Sequence, residues 1–214
     1  HIGEGTDDAA HKEIGKVIKA NLFKRKIVAV HGVAMDYRQA ASFEGVVWCP
    51  ASNYFLLGKT AAVNQWKRQT KIVFGTDSTL TSSWHGAAHF MAALDSGMVT
   101  EKELLDMLTG LPAALWGFKD RGVIKEKMKA DLVIKQKSNN LFNNYQEEML
   151  LVVKGGETGL AAAAVFAQLP AREKINYEHI SNEGSSFFVK AGITKLVNAI
   201  LSYYPQAKIP FELA

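Results

Sequence analysis

Two hydrophobic periods alternate along the first 120 positions. Ile14, Val17, Ile18 and Leu22 recur at helical spacing, so residues 7–23 read as an amphipathic helix. Residues 26–32 (Lys-Ile-Val-Ala-Val-His-Gly) are a short apolar run, the pattern of a strand buried on both faces. Two similar runs follow at 45–50 (Gly-Val-Val-Trp-Cys-Pro) and 71–77 (Lys-Ile-Val-Phe-Gly-Thr-Asp). Between and after them the pattern predicts a short helix capped by Asp36, then helices over 60–69, 83–94 and 112–118. Thr100-Glu-Lys-Glu103 is a capping box opening a helix through Leu108, because the threonine caps while the glutamate three residues on reaches back. Alternating strands and helices predict an α/β fold with a parallel sheet, either a (β/α)8 barrel or an open doubly wound sheet. In both, function gathers at the carboxyl ends of the strands.

The pattern changes near residue 120. Residues 122–125, 130–135 and 149–156 read as strands, the last closed by Gly155-Gly156, with a polar Ser/Asn-rich loop at 138–144. These predict a small β module over 121–157 beside an α/β domain over 1–120. Residues 158–214 read as a mostly helical extension. Its helices are expected over the apolar stretch 160–168 and over 191–203, before Pro205 and Pro210 break the end.

Composition narrows the class. Of 214 residues, 48% are hydrophobic, 21% charged and 10% aromatic, which excludes a disordered, collagen-like or disulfide-stapled chain. No apolar run reaches the roughly 18–20 residues that cross a bilayer as a helix. No basic-then-apolar leader precedes the first helix. The net charge of +4 is ordinary solubility charge: the basic stretches at 24–26 and 125–129 are short and each flanks an expected strand, so no nucleic-acid partner is expected. The single cysteine, Cys49, can form neither an internal disulfide nor a cysteine metal site, which fits a reducing cytoplasm.

Chemistry concentrates at the expected strand ends. The chain opens His1-Ile-Gly-Glu4; the run at 26–32 ends in His31; the run at 45–50 leads through Cys49-Pro50 to Ser52-Asn53; the run at 71–77 ends in Asp77. If the strands are parallel, two histidines and two carboxylates project from one side of the sheet. Imidazole nitrogen and carboxylate oxygen are the ligand set of zinc and of divalent iron or manganese, and a carboxylate outside that set suits proton transfer. Each piece has a plainer reading. His31 alone is also a hydrogen-bonded core histidine, Asp77 a helix cap, and Cys49 a small buried apolar side chain. His85 and His89 stand i, i+4 without an adjacent glutamate and read as an ordinary helix surface; His11 and His179 lack supporting context.

The conjunction is more specific than its parts. His-x-x-Glu, a strand ending in His, Cys-Pro-x-Ser-Asn and Gly-Thr-Asp-Ser follow in that order, one per strand–helix unit. This resembles the amidohydrolase superfamily, in the branch of cytosine deaminase, guanine deaminase and the chlorohydrolase-type enzymes. Thr109-Gly-Leu-Pro-Ala113 with Gly117, Ala130-Asp-Leu-Val133 and residues 149–156 extend the likeness to about residue 157. The resemblance implies the C-terminal half, strands five to eight, of a (β/α)8 barrel, with part of a small β-sandwich. It implies that His1 binds a metal at strand five and that Glu4 is the proton shuttle. His31 at strand six binds a second metal or orients water and substrate, and Asp77 at strand eight binds the metal and takes a proton. The cofactor implied is a divalent metal, zinc first, iron or manganese otherwise. The implied substrate is a purine, pyrimidine or triazine-like ring, deaminated by metal-bound hydroxide.

Two departures accompany the resemblance. No His-x-His, the family's strand-one signature, occurs in the sequence, and Lys127 stands where a turn glycine is usual. A barrel typically takes about 250 residues. The chain therefore reads as a fragment with little activity alone, its N-terminal half lost or carried on another chain. The other arrangements are a second copy closing the barrel and a repacked open sheet. The alternative function is a non-catalytic ligand-binding or assembly module on the same scaffold.

Overall fold

The computed structural model describes residues 1–143, 148–182 and 184–213. They divide into two compact units: residues 1–123 with 140–143, and 124–139 with the rest of the described C-terminal residues. The expected 138–144 loop is thus split between units, and its last residue lies outside the described residues.

The first unit begins with helix α1 (Asp8–Ala20), capped by the Asp7 carboxylate accepting from the Ala10 N–H. Strand β1 (Val28–Val30) leads to helix α2 (Tyr37–Ala40), where Asp36 and Gln39 complete a reciprocal capping box. Strand β2 (Gly45–Trp48) runs into helix α3 (Pro50–Leu57), and a 3-10 turn at Val63–Gln65 precedes strand β3 (Lys71–Phe74). Helices α4 (Gly86–Asp95), α5 (Glu101–Leu108) and α6 (Gly110–Trp116) follow. The expected Thr100–Glu103 capping box opens α5.

Strands β1, β2 and β3 form a parallel sheet in that order, and Ile2 adds a parallel bridge to His31 at its edge. Trp48, Trp66, Ile14, Val46 and Leu104 are fully buried around it. This is the expected α/β alternation, with one correction. The helix expected over 60–69 is irregular backbone, a 3-10 turn and a further hydrogen-bonded turn, and the helical stretch lies earlier, at α3. Pro50 at the first helical position is preset for the helix, and Gly58 at φ 62° ends it. Ala61, Val63 and Trp66 still reach the core, from an irregular backbone.

The second unit is a six-stranded antiparallel sheet in the order β4-β5-β6-β8-β7-β9. Its strands are β4 (Leu132–Lys135), β5 (Met149–Lys154), β6 (Glu157–Ala162), β7 (Glu178–Asn182), β8 (Ser185–Val189) and β9 (Glu212–Leu213). Helix α7 (Ala163–Phe166), a 3-10 turn (Ala171–Glu173) and helix α8 (Ile193–Tyr203) complete it. The mostly helical extension expected over 158–214 is therefore corrected: it holds four strands of this sheet. The alanine-rich run at 160–162 has helical propensity but pairs on both edges, with β5 and β8, and that pairing overrides propensity. Likewise the strand expected at 122–125 is a bend followed by irregular backbone.

Two turns matched their chemistry. Gly155 and Gly156 take φ 60° and 86°, the two-residue hairpin turn joining β5 to β6. Lys127 takes φ 67°, so the left-handed turn is kept with lysine in the glycine position.

Candidate metal and proton-transfer site

The site lies at the carboxyl ends of the parallel strands of the first unit. The N-terminal segment is tied in by backbone bonds, Ile2 N–H to the Val30 carbonyl (3.2 Å) and Gly32 N–H to the Ile2 carbonyl (3.0 Å). Gly3 lies at φ 60°, and a Cβ there would stand 2.6 Å from Ile14 Cδ1, so glycine carries the chain past α1 without backbone strain or a shift of Ile14. That turn places His1 and Glu4 over the end of β1. His31 itself lies at φ 70° and Asp77 at φ 60°, left-handed positions just past the ends of β1 and β3. Such strained non-glycine residues cluster at functional sites. Gly75 completes the approach: a Cβ there would lie 2.6 Å from Val47 Cγ1 and 2.9 Å from the Cys49 sulfur.

All four residues singled out in the sequence meet here. One ligand atom each from His1, His31 and Asp77 lie within 4.8 Å of one another. The His1 and His31 rings are 5.1 Å apart, and Glu4 Oε1 is 3.5 Å from His31 Nε2. His31 is buried, whereas His1 and Asp77 are exposed.

The donor set suits a divalent ion. Two ligands each about 2.1 Å from a tetrahedral zinc are about 3.4 Å apart, so small side-chain movements close this cluster on one ion. The hydrogen bonds described for Asp77 fall on Oδ2, from the Ser52 hydroxyl at 2.6 Å and from Thr81 at 3.4 Å. A ligating carboxylate held by a neighbouring donor is the usual arrangement around protein metals. Cys49 is not part of the donor set. Burial, with smaller contributions from Asp77 and Glu4, pushes its thiol up to about 12, so it stays protonated.

The sequence implied only a pocket-wall role, and no catalytic one, for the Cys-Pro-x-Ser-Asn segment that holds Ser52 and Asn53, and no role for Thr60. Ser52 and Asn53 lie in the first turn of α3, where Pro50 starts the helix directly off the end of β2. Ser52 reaches Asp77, and the Asn53 amide reaches His31 Nδ1 at 2.9 Å. The Cys-Pro-x-Ser-Asn spelling held this signal: a proline after a strand starts a helix over the strand ends, and its next polar residues face the site. Three of the other histidines bond within the fold, and His89, expected on a helix surface, is buried. His11 meets the Ala34 carbonyl at 2.9 Å, buried His89 meets the Ser83 carbonyl at 2.7 Å, and His179 bonds Ser186 within the second unit.

Among the described residues, no helix is long and apolar enough to cross a membrane. A deaminase of Dictyoglomus turgidum, named for 5-methylthioadenosine and S-adenosylhomocysteine, is 29% identical over 131 residues, 54% of this chain and 30% of its own length. An amidohydrolase structure from Thermotoga maritima superposes with a TM-score of 0.55 at 19% identity, over 72% of this chain and 41% of that one. A triazine hydrolase variant superposes with a TM-score of 0.52 at 17% identity, over 67% of this chain and 38% of that one. At such identities the structural likeness shows the fold alone. The chain thus spans well under half the length of these relatives. The model of the amidohydrolase family matches residues 1–168, and on that match the chain belongs to the amidohydrolase family.

Proposed function

We propose that these residues form part of a metal-dependent hydrolase that deaminates a purine, pyrimidine or triazine-like ring. The carrying observation is the convergence of His1, His31 and Asp77 within 4.8 Å, with Glu4 Oε1 3.5 Å from His31. The name of the Dictyoglomus relative supports a ring C–N bond as the target. The Ile2 bridge and strands β1, β2 and β3 are read as strands five to eight of a (β/α)8 barrel. The rest of that barrel would come from residues outside this chain or from a second copy. The antiparallel unit is read as the family's small β domain.

His1 and Asp77, with His31 beside them, would hold the metal, zinc before iron or manganese by the nitrogen and oxygen donors. When bound, it supplies Lewis-acid activation of water at neutral pH. The chain's own groups then do the following. Asp77, steadied by Ser52, accepts a proton from the attacking water. Glu4 gives a proton to the ring nitrogen as the water oxygen bonds to the sp2 carbon. Glu4, now a carboxylate, takes the proton of the added hydroxyl as the C=O forms and passes it to the exocyclic nitrogen, which leaves as ammonia; the proton held by Asp77 returns to Glu4. A positioned carboxylate of this kind contributes about 10²–10⁴-fold.

The test is metal analysis and ammonia release from cytosine, guanine, adenosine-type nucleosides and aminotriazines, using the full parent protein supplied with zinc, iron or manganese. Turnover that is lost in Glu4→Gln with metal content retained supports the reading. No turnover and no bound metal would overturn it in favour of a non-catalytic module.

A further inference from the structure

A chain of hydrogen bonds behind His31 determines which ring nitrogen carries its proton. It begins at Trp48, whose indole N–H can only donate. That N–H lies 2.8 Å from Thr60 Oγ1, which therefore accepts. The one proton of the Thr60 hydroxyl is then free for Asn53 Oδ1, 3.2 Å away. With its carbonyl oxygen committed to Thr60, the Asn53 amide turns its NH2 toward His31, 2.9 Å from Nδ1. An amide NH2 donates and does not accept, so Nδ1 must offer its lone pair. The neutral ring then carries its proton on Nε2, the nitrogen 3.5 Å from Glu4 Oε1. Trp48, Thr60, Asn53 and His31 are all buried, so water does not substitute for a missing partner.

We propose that Asn53 is a positioning residue, held by Trp48 through Thr60, that keeps the His31 proton on Nε2. Strand β2 supplies the start of the relay, α3 and the segment after it the middle, and the residue after β1 the target. An Nδ1–H tautomer would set two donors against each other at 2.9 Å inside the protein. His31 consequently shows the site an N–H rather than a lone pair. It donates to an oxygen or nitrogen of water or substrate, and the metal-ligand role falls to His1 and Asp77. That consequence rests on the hydrolytic reading above, whereas the tautomer itself rests on the relay alone.

Long-range 1H–15N correlation spectra of the full chain, metal-free and labelled with 15N-histidine, test this directly. His31 is identified by the signals missing in His31→Gln. The expected spectrum shows Nδ1 as an imine-type nitrogen and Nε2 as an N–H, with the Nε2–H form favoured roughly tenfold or more. Asn53→Asp replaces the donor with acceptors and should move the proton to Nδ1. Thr60→Val frees the Asn53 amide to turn over and should give both tautomers, whereas Thr60→Ser keeps the hydroxyl and should restore the parent spectrum. If Asn53→Asp does not fold, the parent spectrum and the Thr60 pair still decide. A parent spectrum with Nδ1 protonated, or a Thr60→Val spectrum identical to the parent, overturns the proposal. The expected spectrum in a protein whose parent releases no ammonia keeps the relay and removes the hydrolytic reading; turnover alongside protonated Nδ1 does the reverse.

Discussion

Gly75→Ala isolates a close packing constraint in the site. Gly75 follows β3, and its N–H donates to the Trp48 carbonyl at 2.9 Å. Its φ is not in the left-handed region, so the substitution tests space and not backbone conformation. An added methyl would lie 2.6 Å from Val47 Cγ1 and 2.9 Å from the Cys49 sulfur, both on the adjoining strand segment and neither at the end of a long flexible side chain. Overpacking of this kind costs about 1–3 kcal/mol, offset by about 0.4–1 kcal/mol because alanine restricts the unfolded chain more than glycine does. The net expectation is a loss of about 1–2 kcal/mol. The four tryptophans, Trp48, Trp66, Trp84 and Trp116, all belong to the first unit, so intrinsic fluorescence follows that unit without interference from the second. With a urea slope of about 2 kcal/mol/M, the midpoint should fall by about 0.5–1 M. Val47→Ala removes the nearer methyl. A double-mutant cycle should return a coupling of about 1 kcal/mol, the double variant being more stable than the two single losses imply. The strand shift should also displace Asp77 and weaken zinc binding. A midpoint within 0.1 M of the parent, or an additive cycle, would refute the claim that Val47 and Cys49 leave no room for a side chain at Gly75.

Other expectations follow from single groups. Ser52→Ala removes the 2.6 Å hydrogen bond to Asp77 and should lower zinc affinity about 10–100-fold by calorimetric titration, with little change in the fluorescence-monitored unfolding. Lys127→Gly relieves a left-handed lysine at φ 67° and should raise stability by about 0.5–1 kcal/mol, read as a higher transition temperature in calorimetry. The Cys49 thiol, raised from 9.0 to about 12, is the proton-holding form in the folded state. Its contribution to stability is complete below pH 9 and is lost as pH rises toward 12, so Cys49→Ala should flatten the alkaline decline in stability. The same thiol should resist iodoacetamide at pH 8 in the native chain and react once urea unfolds it.

Much of this protein was legible in local pattern. The Asp36 and Thr100 caps, the three apolar strand runs and the Gly155-Gly156 turn each use chemistry confined to a few neighbouring residues, and each stands where that chemistry puts it. The order of His-x-x-Glu, His31, Cys-Pro-x-Ser-Asn and Asp77 carried the family likeness. The failures arose where contacts distant in the chain, or irregular backbone, overrode the local pattern. Residues 160–162 look helical by propensity, and only their two strand partners make them β6. Residues 60–69 hold apolar spacing that irregular backbone satisfies equally well.

The sequence by itself determined which donors exist and that His31 and Asp77 follow apolar strand runs. The tertiary structure alone decided that they meet. Parallel register of β1, β2 and β3, with Ile2 bridged alongside, brings residues 1, 31 and 77 together although up to 76 positions separate them. It also decided that Asn53 and Thr60 stand behind His31, because hydrogen-bond direction depends on which buried groups face one another, and no spacing along the chain encodes that.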